Sequence, residues 1–237
     1  VTAHSYFFQG VNLRRSLSLA LALGFTAAAA NALADVALSA ARSYEGLEFL
    51  QNLFLYTSCS LLGLIFAEKT SLEAFLVRRP IGWYQKGLTL LVFGLIPGGA
   101  VGFTYHHLFF QHRFSPRVPV RVRAIQSHYG SFIVSLRAGV TEELVFRFLL
   151  MTAFFYILGR TFLPLAAQGF RVARWIPFLF SLLLSSLLFG FVHGAYGFMT
   201  AFLAGMILGI VYFRAGLESA IMAHFVADLV FFSTTYV

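Results

Sequence analysis

The sequence predicts an all-α protein, a polytopic membrane bundle of about seven to eight transmembrane helices. Three observations predict it. First, 59% of the residues are hydrophobic and only 11% are charged, with a mean hydropathy of +0.81, whereas a soluble domain carries about 25% charged residues. Second, apolar runs recur along the whole chain, each long enough to cross all or most of about 30 Å of hydrocarbon. Third, Arg and Lys gather in the short connections between those runs, as the positive-inside bias requires. The net charge of +8 therefore points to anionic lipid headgroups rather than nucleic acid, because no basic domain exists to follow a phosphate backbone. A length of 237 residues suits a single membrane domain, 1–237, with no room for a sizeable soluble one.

The first run, Leu17–Ala37, follows Arg14-Arg15 and carries Ala32-Leu33-Ala34 near its end. This imitates a secretory signal with an A-x-A cleavage site, and we read it as a retained first membrane helix. Leu47–Phe66 and Gly87–Phe109 are the second and third runs. The second holds Cys59, the one cysteine of the chain, which excludes an intrachain disulfide framework and a cysteine-based zinc site and reads as buried filler. His106, His107 and His112 cluster where the third run ends; they read as interfacial residues or weak metal contacts without a catalytic role. Gln111–Gly130, with Arg113, Arg117, Arg121, Arg123 and two prolines, is the longest polar connection. The alternation of Val118, Val120 and Val122 permits an extended stretch, but a solvated loop anchored to headgroups is the reading adopted.

The fourth run, Phe132–Leu158, is followed by three short ones, Ile176–Phe191, Gly197–Phe213 and Leu217–Phe232. Tight turns at His193-Gly194 and Ala215-Gly216 join the short ones, so the last four helices should pack antiparallel as one bundle. Gly205 and Gly209 fit G-x-x-x-G, which permits close backbone approach, although ordinary packing explains the spacing equally well. The Arg and Lys distribution favours an inside N-terminus, while the arginine-rich third connection opposes it. Orientation is left open.

Within the fourth run stands Thr141-Glu142-Glu143-Leu144-Val145-Phe146-Arg147. The chain has only nine acidic residues, and two of them sit side by side here, at a depth where ionisable groups are costly and mark function. Successive helical residues lie about 100° apart, so the two carboxylates cannot share one face. Glu143 and Arg147, four apart, do share one and can pair. Glu142 is left to face a cavity, and burial there strengthens a carboxylate as a base. An ion-pair knot between helices is the competing explanation, but a knot has no use for an unpaired second carboxylate.

Two further motifs follow. Phe189-x-x-x-His193 ends the fifth run and carries little information alone in a chain with 29 Phe. His224 and Asp228, four apart on one face of the seventh run, are more telling, with a hydrogen-bonded structural pair as the alternative. Taken in order, Glu142-Glu143-x-x-x-Arg147, Phe189-x-x-x-His193 and His224-x-x-x-Asp228 resemble the three motifs of the CAAX-protease and bacteriocin-processing (CPBP, also called Abi) family of glutamic intramembrane endopeptidases. The resemblance covers Phe132 to Phe232 and none of the first three helices.

The resemblance implies a catalytic four-helix core at 132–232, with residues 1–131 as N-terminal helices of unassigned role. It implies that Glu142 activates water held by His193, and that His224 and Asp228 stabilise the oxyanion. Glu143, Arg147 and Phe189 would support them, and neither metal nor other cofactor is implied. The partner would be a membrane protein or peptide, entering as a C-terminal tail or membrane helix from the lipid bilayer; prenylated CAAX proteins, bacteriocins and sorting signals are the family's substrate classes. Many relatives carry Asn where this chain has Asp228. Either Asp228 holds a proton and donates it, or it orients His224, which then donates alone. Two other readings stand beside this one: a zinc protease using Glu142, His193 and His224 with an open position for water, and a non-enzymatic peptide-binding or transport protein, for which no internal repeat is found.

Overall fold

The computed structural model describes residues 13–38, 46–70, 81–110 and 128–235. Seven helices follow one another there: α1 (Leu13–Leu38), α2 (Gly46–Thr70), α3 (residues 83–110), α4 (residues 128–167), α5 (Ile176–Val192), α6 (Gly194–Ala215) and α7 (Leu217–Thr235). A single 3-10 turn, Arg171–Arg174, precedes α5, and no strand occurs among the described residues. Five stretches are long and apolar enough to cross a membrane: Ser16–Val36, Leu47–Thr70, Trp83–His107, Gly130–Ala167 and Gly197–Ala215. At 17 residues, α5 is a shorter apolar helix. Large side chains such as Phe25, Phe54, Trp83 and Phe191 stand exposed on the outside, as suits helices that are apolar all round and bathed in lipid. The arginine-rich connection falls mostly outside the described residues, as does His112.

Two features depart from the sequence expectation. The fourth helix begins at His128 and continues past Leu158 to Ala167. Neither Gly159 nor Pro164 stops it; the chain turns only where the Phe170 N–H returns to the Leu165 carbonyl. Its 38-residue apolar stretch is about 57 Å long at ~1.5 Å per residue, nearly twice the hydrocarbon thickness, so the rod tilts steeply or projects beyond it. The second feature is π-helical winding at Leu91–Leu95 and Tyr105–Phe110 in α3, and at Leu144–Met151 in α4. Such wide turns are frequent at functional sites, and the last starts directly after Glu143.

The core gathers Leu64 of α2, Leu144, Phe148 and Met151 of α4, Leu208 and Tyr212 of α6, and Ala220 and Ala223 of α7. The Tyr212 hydroxyl stays satisfied there by Thr152 at 2.8 Å. As expected, the last four helices form one bundle: α4 packs on α5 and α7, and α6 packs on the same two. The turns into α6 and α7 are made by Gly194 and Gly216, with φ of 71° and 92°, a backbone region that costs glycine nothing. Along α6, a Cβ on Gly205 would sit 3.1 Å from Ser186 and one on Gly209 would collide with Leu182. The G-x-x-x-G spacing therefore sets how closely α6 meets α5.

The first three helices are not peripheral. Both α1 and α2 pack on α4, and α3 packs on α7. Gly94, Gly98 and Gly102 form the α3 contact; a Cβ on Gly98 or Gly102 would run into the Ala223 or Ala227 carbonyl. Those alanines flank His224 and Asp228 on α7. A stripe of missing side chains in α3 thus sets the depth of that helix in the bundle.

Candidate active site

The bundle brings three separated motifs to one place. Glu142, Glu143 and Arg147 come from α4, where the α-helical winding gives way to π. Phe189 and His193 come from the C-terminal end of α5. His224 and Asp228 come from the middle of α7.

A buried layer lies at the back. The Glu143 and Arg147 side chains are fully buried, and Glu143 Oε2 stands 3.4 Å from Arg147 Nε. The other carboxylate oxygen of Glu143 accepts a hydrogen bond from His224 Nδ1 at 2.8 Å. A carboxylate can only accept here, so Nδ1 carries a proton and Nε2 faces forward. His224 is itself only 6% exposed. Glu143 therefore does more than brace α4 through Arg147: it fixes the imidazole of α7. The bond joins residues 81 positions apart, and no sequence spacing signals it.

The front layer is wetter. Glu142 and His193 are each about one-third exposed, at 32% and 36%. Glu142 Oε2 lies 3.8 Å from His193 Nε2 and also 3.8 Å from His224 Nε2. Asp228 Oδ2 reaches the same His224 nitrogen at 3.6 Å. Asp228 therefore stands at the forward edge of the imidazole, while Glu143 holds the rear edge. The Nδ1 side of His224 is held by Glu143. The adjacent glutamates, although about 100° apart on the helix, straddle one ring and reach its two nitrogens separately.

Phe189 explains the spacing of its motif. Its carbonyl accepts from His193 Nδ1 at 2.7 Å, which turns Nε2 toward Glu142. The Phe189 ring meets His193 at 4.6 Å and His224 edge-on at 5.7 Å. The Arg147 guanidinium lies 4.8 Å from the same ring centroid, a cation–π contact that offsets part of the cost of burying charge. One phenylalanine thus spaces both imidazoles. Beside His193, an apolar hollow of about 390 Å³ is lined by Phe191, Gly194, Ala195 and Phe198.

Elsewhere, His106 and His107 meet edge-on at 5.0 Å on α3. Among the described residues, no group of three or more His, Cys, Asp and Glu is arranged as a metal site. Cys59 is buried and free. Residues 125–230 match the family model described as type II CAAX prenyl endopeptidase, Rce1-like. Over these residues the chain is similar to the CPBP family. The matched segment contains all of α4, α5 and α6, and α7 as far as Val230, hence each of the seven residues above. Comparison with curated proteins and with solved structures finds no match. The match supports a protease of the CAAX type, a family that acts on membrane-associated protein substrates, and the helices of this chain make it a multi-pass integral membrane protein.

Proposed function

We propose that the protein is a glutamic, metal-independent intramembrane endopeptidase that hydrolyses a peptide bond in a prenylated CAAX-type C-terminal tail, with residues 132–232 as its catalytic core. The observation that carries this reading is the position of Glu142 Oε2, 3.8 Å from the forward nitrogens of both His193 and His224. That gap is too long for a direct hydrogen bond, and it suits a shared water at about 2.8 Å from each acceptor. Held by the Glu142 carboxylate and the unprotonated His193 Nε2, such a water donates both hydrogens and turns a lone pair to the scissile carbonyl carbon. Glu142 takes one proton as the C–O bond forms. The negative oxygen then faces Nε2–H of a His224 imidazolium, whose Nδ1–H is held by Glu143, and Asp228 beside it. Fixed donors of this kind act most strongly where water is scarce. Collapse of the intermediate breaks the C–N bond, and Glu142 returns its proton to the leaving amine.

The family description supports the substrate class, and the apolar hollow beside His193 suits an oily side chain or lipid of the tail. The decisive assay uses purified protein in detergent with an internally quenched, farnesylated CAAX peptide. Wild type cleaves it, Glu142→Gln does not, and EDTA or phenanthroline leaves the wild-type rate unchanged. Equal rates for wild type and Glu142→Gln would remove the glutamate mechanism. Loss with chelator and recovery with zinc would replace it by the zinc reading.

A further inference from the structure

Thr152 and Tyr212 are fully buried polar side chains that take no part in the bond-making and bond-breaking steps. Thr152 follows directly on the π-helical stretch Leu144–Met151 of α4. Its hydroxyl reaches the Arg147 carbonyl, five residues back, at 3.2 Å. A helical threonine ordinarily bonds the carbonyl four residues back, which here belongs to Phe148. Five is the span of a π turn, so this hydroxyl is in register with the wide winding. The Phe148 carbonyl lies against α2 instead, where a Cβ on Gly63 would come within 2.8 Å of it.

A carbonyl can only accept, so Thr152 gives its one hydrogen to Arg147. The 2.8 Å bond between Thr152 Oγ1 and the Tyr212 hydroxyl therefore runs from tyrosine to threonine. Tyr212 of α6 thus pins, through Thr152, the backbone of the residue whose guanidinium stands 3.4 Å from Glu143. Glu143 in turn holds His224 Nδ1 at 2.8 Å. The winding matters because the two halves of α4 are packed separately. Residues 128–143 lie against α1 and α7, whereas residues 152–167 lie against α2 and α5. A π turn takes one residue more than an α turn, so a return to α winding would rotate one half against the other by about 100°.

The geometry points to Thr152 and Tyr212 as positioning residues of the hydrolytic site, their linked hydroxyls setting the π register of α4 that presents Glu142 and Glu143 to the two imidazoles. The inference rests on the proposed function and brings α6 into the catalytic unit. Neither residue is assigned a contact with the reacting atoms. Displacement of catalytic groups by about 1 Å costs about a hundredfold in rate, so loss of either hydroxyl should register in kcat.

The test measures cleavage of the farnesylated CAAX peptide and thermal unfolding for wild type, Thr152→Val, Thr152→Ser, Tyr212→Phe, the Thr152→Val, Tyr212→Phe double variant and Glu142→Gln. Ser16→Ala, which removes the 2.8 Å bond to Glu68 between α1 and α2, is the control, and rates are read well below every unfolding midpoint. Expected is a kcat lower by at least about tenfold in Thr152→Val and in Tyr212→Phe, with KM within about twofold. Thr152→Ser keeps the hydroxyl and should stay within about twofold of wild-type kcat. The double variant should be no worse than Thr152→Val, and Ser16→Ala should cleave as wild type does. Should Thr152→Val fail to fold, Tyr212→Phe decides alone. Wild-type kcat in Tyr212→Phe or in a folded Thr152→Val overturns the inference, as do an equal loss in Thr152→Ser and losses that multiply in the double variant. A loss confined to KM, or a comparable loss in Ser16→Ala, overturns it too. If Glu142→Gln cleaves as wild type does, or wild type cleaves nothing, the hydrolytic site itself fails and the inference falls with it. An inactive Glu142→Gln beside a fully active Tyr212→Phe sinks the inference alone.

Discussion

Replacing Glu143 by Gln tests the division of labour between two neighbouring carboxylates. Glu143 is fully buried, 2.8 Å from His224 Nδ1 and 3.4 Å from Arg147 Nε. Glutamine keeps the shape, and its amide oxygen can still accept from Nδ1, but the charge is gone. The fully buried Arg147 then loses its nearest counter-charge, and breaking a buried pair costs about 3–5 kcal/mol. At about 2–4 °C per kcal/mol for a domain of this size, the unfolding midpoint should fall by roughly 6–20 °C. The charged hydrogen bond to His224 is worth about 1.5–3 kcal/mol, so kcat should fall about tenfold to a hundredfold. Glu142→Gln should behave in the opposite way. Its side chain is 32% exposed and stands 3.8 Å from its neighbours, so stability should change by less than about 1 kcal/mol. Loss of the base should cost about 10²–10⁴ in rate. Adding Arg147→Met to Glu143→Gln removes the orphaned charge and should recover most of the lost stability. Unfolding in detergent is readable with a thiol-reactive dye, because Cys59 is the one cysteine and is 7% exposed. The reasoning is refuted if Glu142→Gln lowers the midpoint as far as Glu143→Gln, or if Arg147→Met deepens the loss.

Two other outcomes follow from the geometry. Asp228→Asn supplies an N–H donor at the forward edge of His224 and should keep kcat within about tenfold, whereas Asp228→Ala should lose about 10²–10³; equal losses in peptide cleavage would deny Asp228 a place at the oxyanion. On α3, Gly98→Ala would press a methyl against the Ala223 carbonyl and Val226, costing about 1–3 kcal/mol and lowering kcat by displacing α7. Gly99→Ala meets nothing within 4 Å and should be neutral or slightly stabilising. Matching midpoints and rates for the two alanine variants would deny α3 its role in placing α7.

What the sequence determined by itself is the set of properties carried by contiguous residues. Apolar runs announce helices in lipid because a span is a local object, complete within some twenty residues. The pairing of Glu143 with Arg147 and the shared face of His224 and Asp228 were legible because helical periodicity sets them. The end of α4 was not legible: the apolar run was bounded at Leu158, yet the packed rod carries Gly159 and Pro164 on to Ala167. Only the tertiary structure decided that Glu143 reaches His224 across 81 positions, that one phenylalanine spaces two imidazoles, and that Gly98 and Gly102 seat α3 against α7. These depend on how each helix is rotated and how deeply it sits against its neighbour. Rotation and depth follow from the fit of whole surfaces, which no spacing within a single helix records.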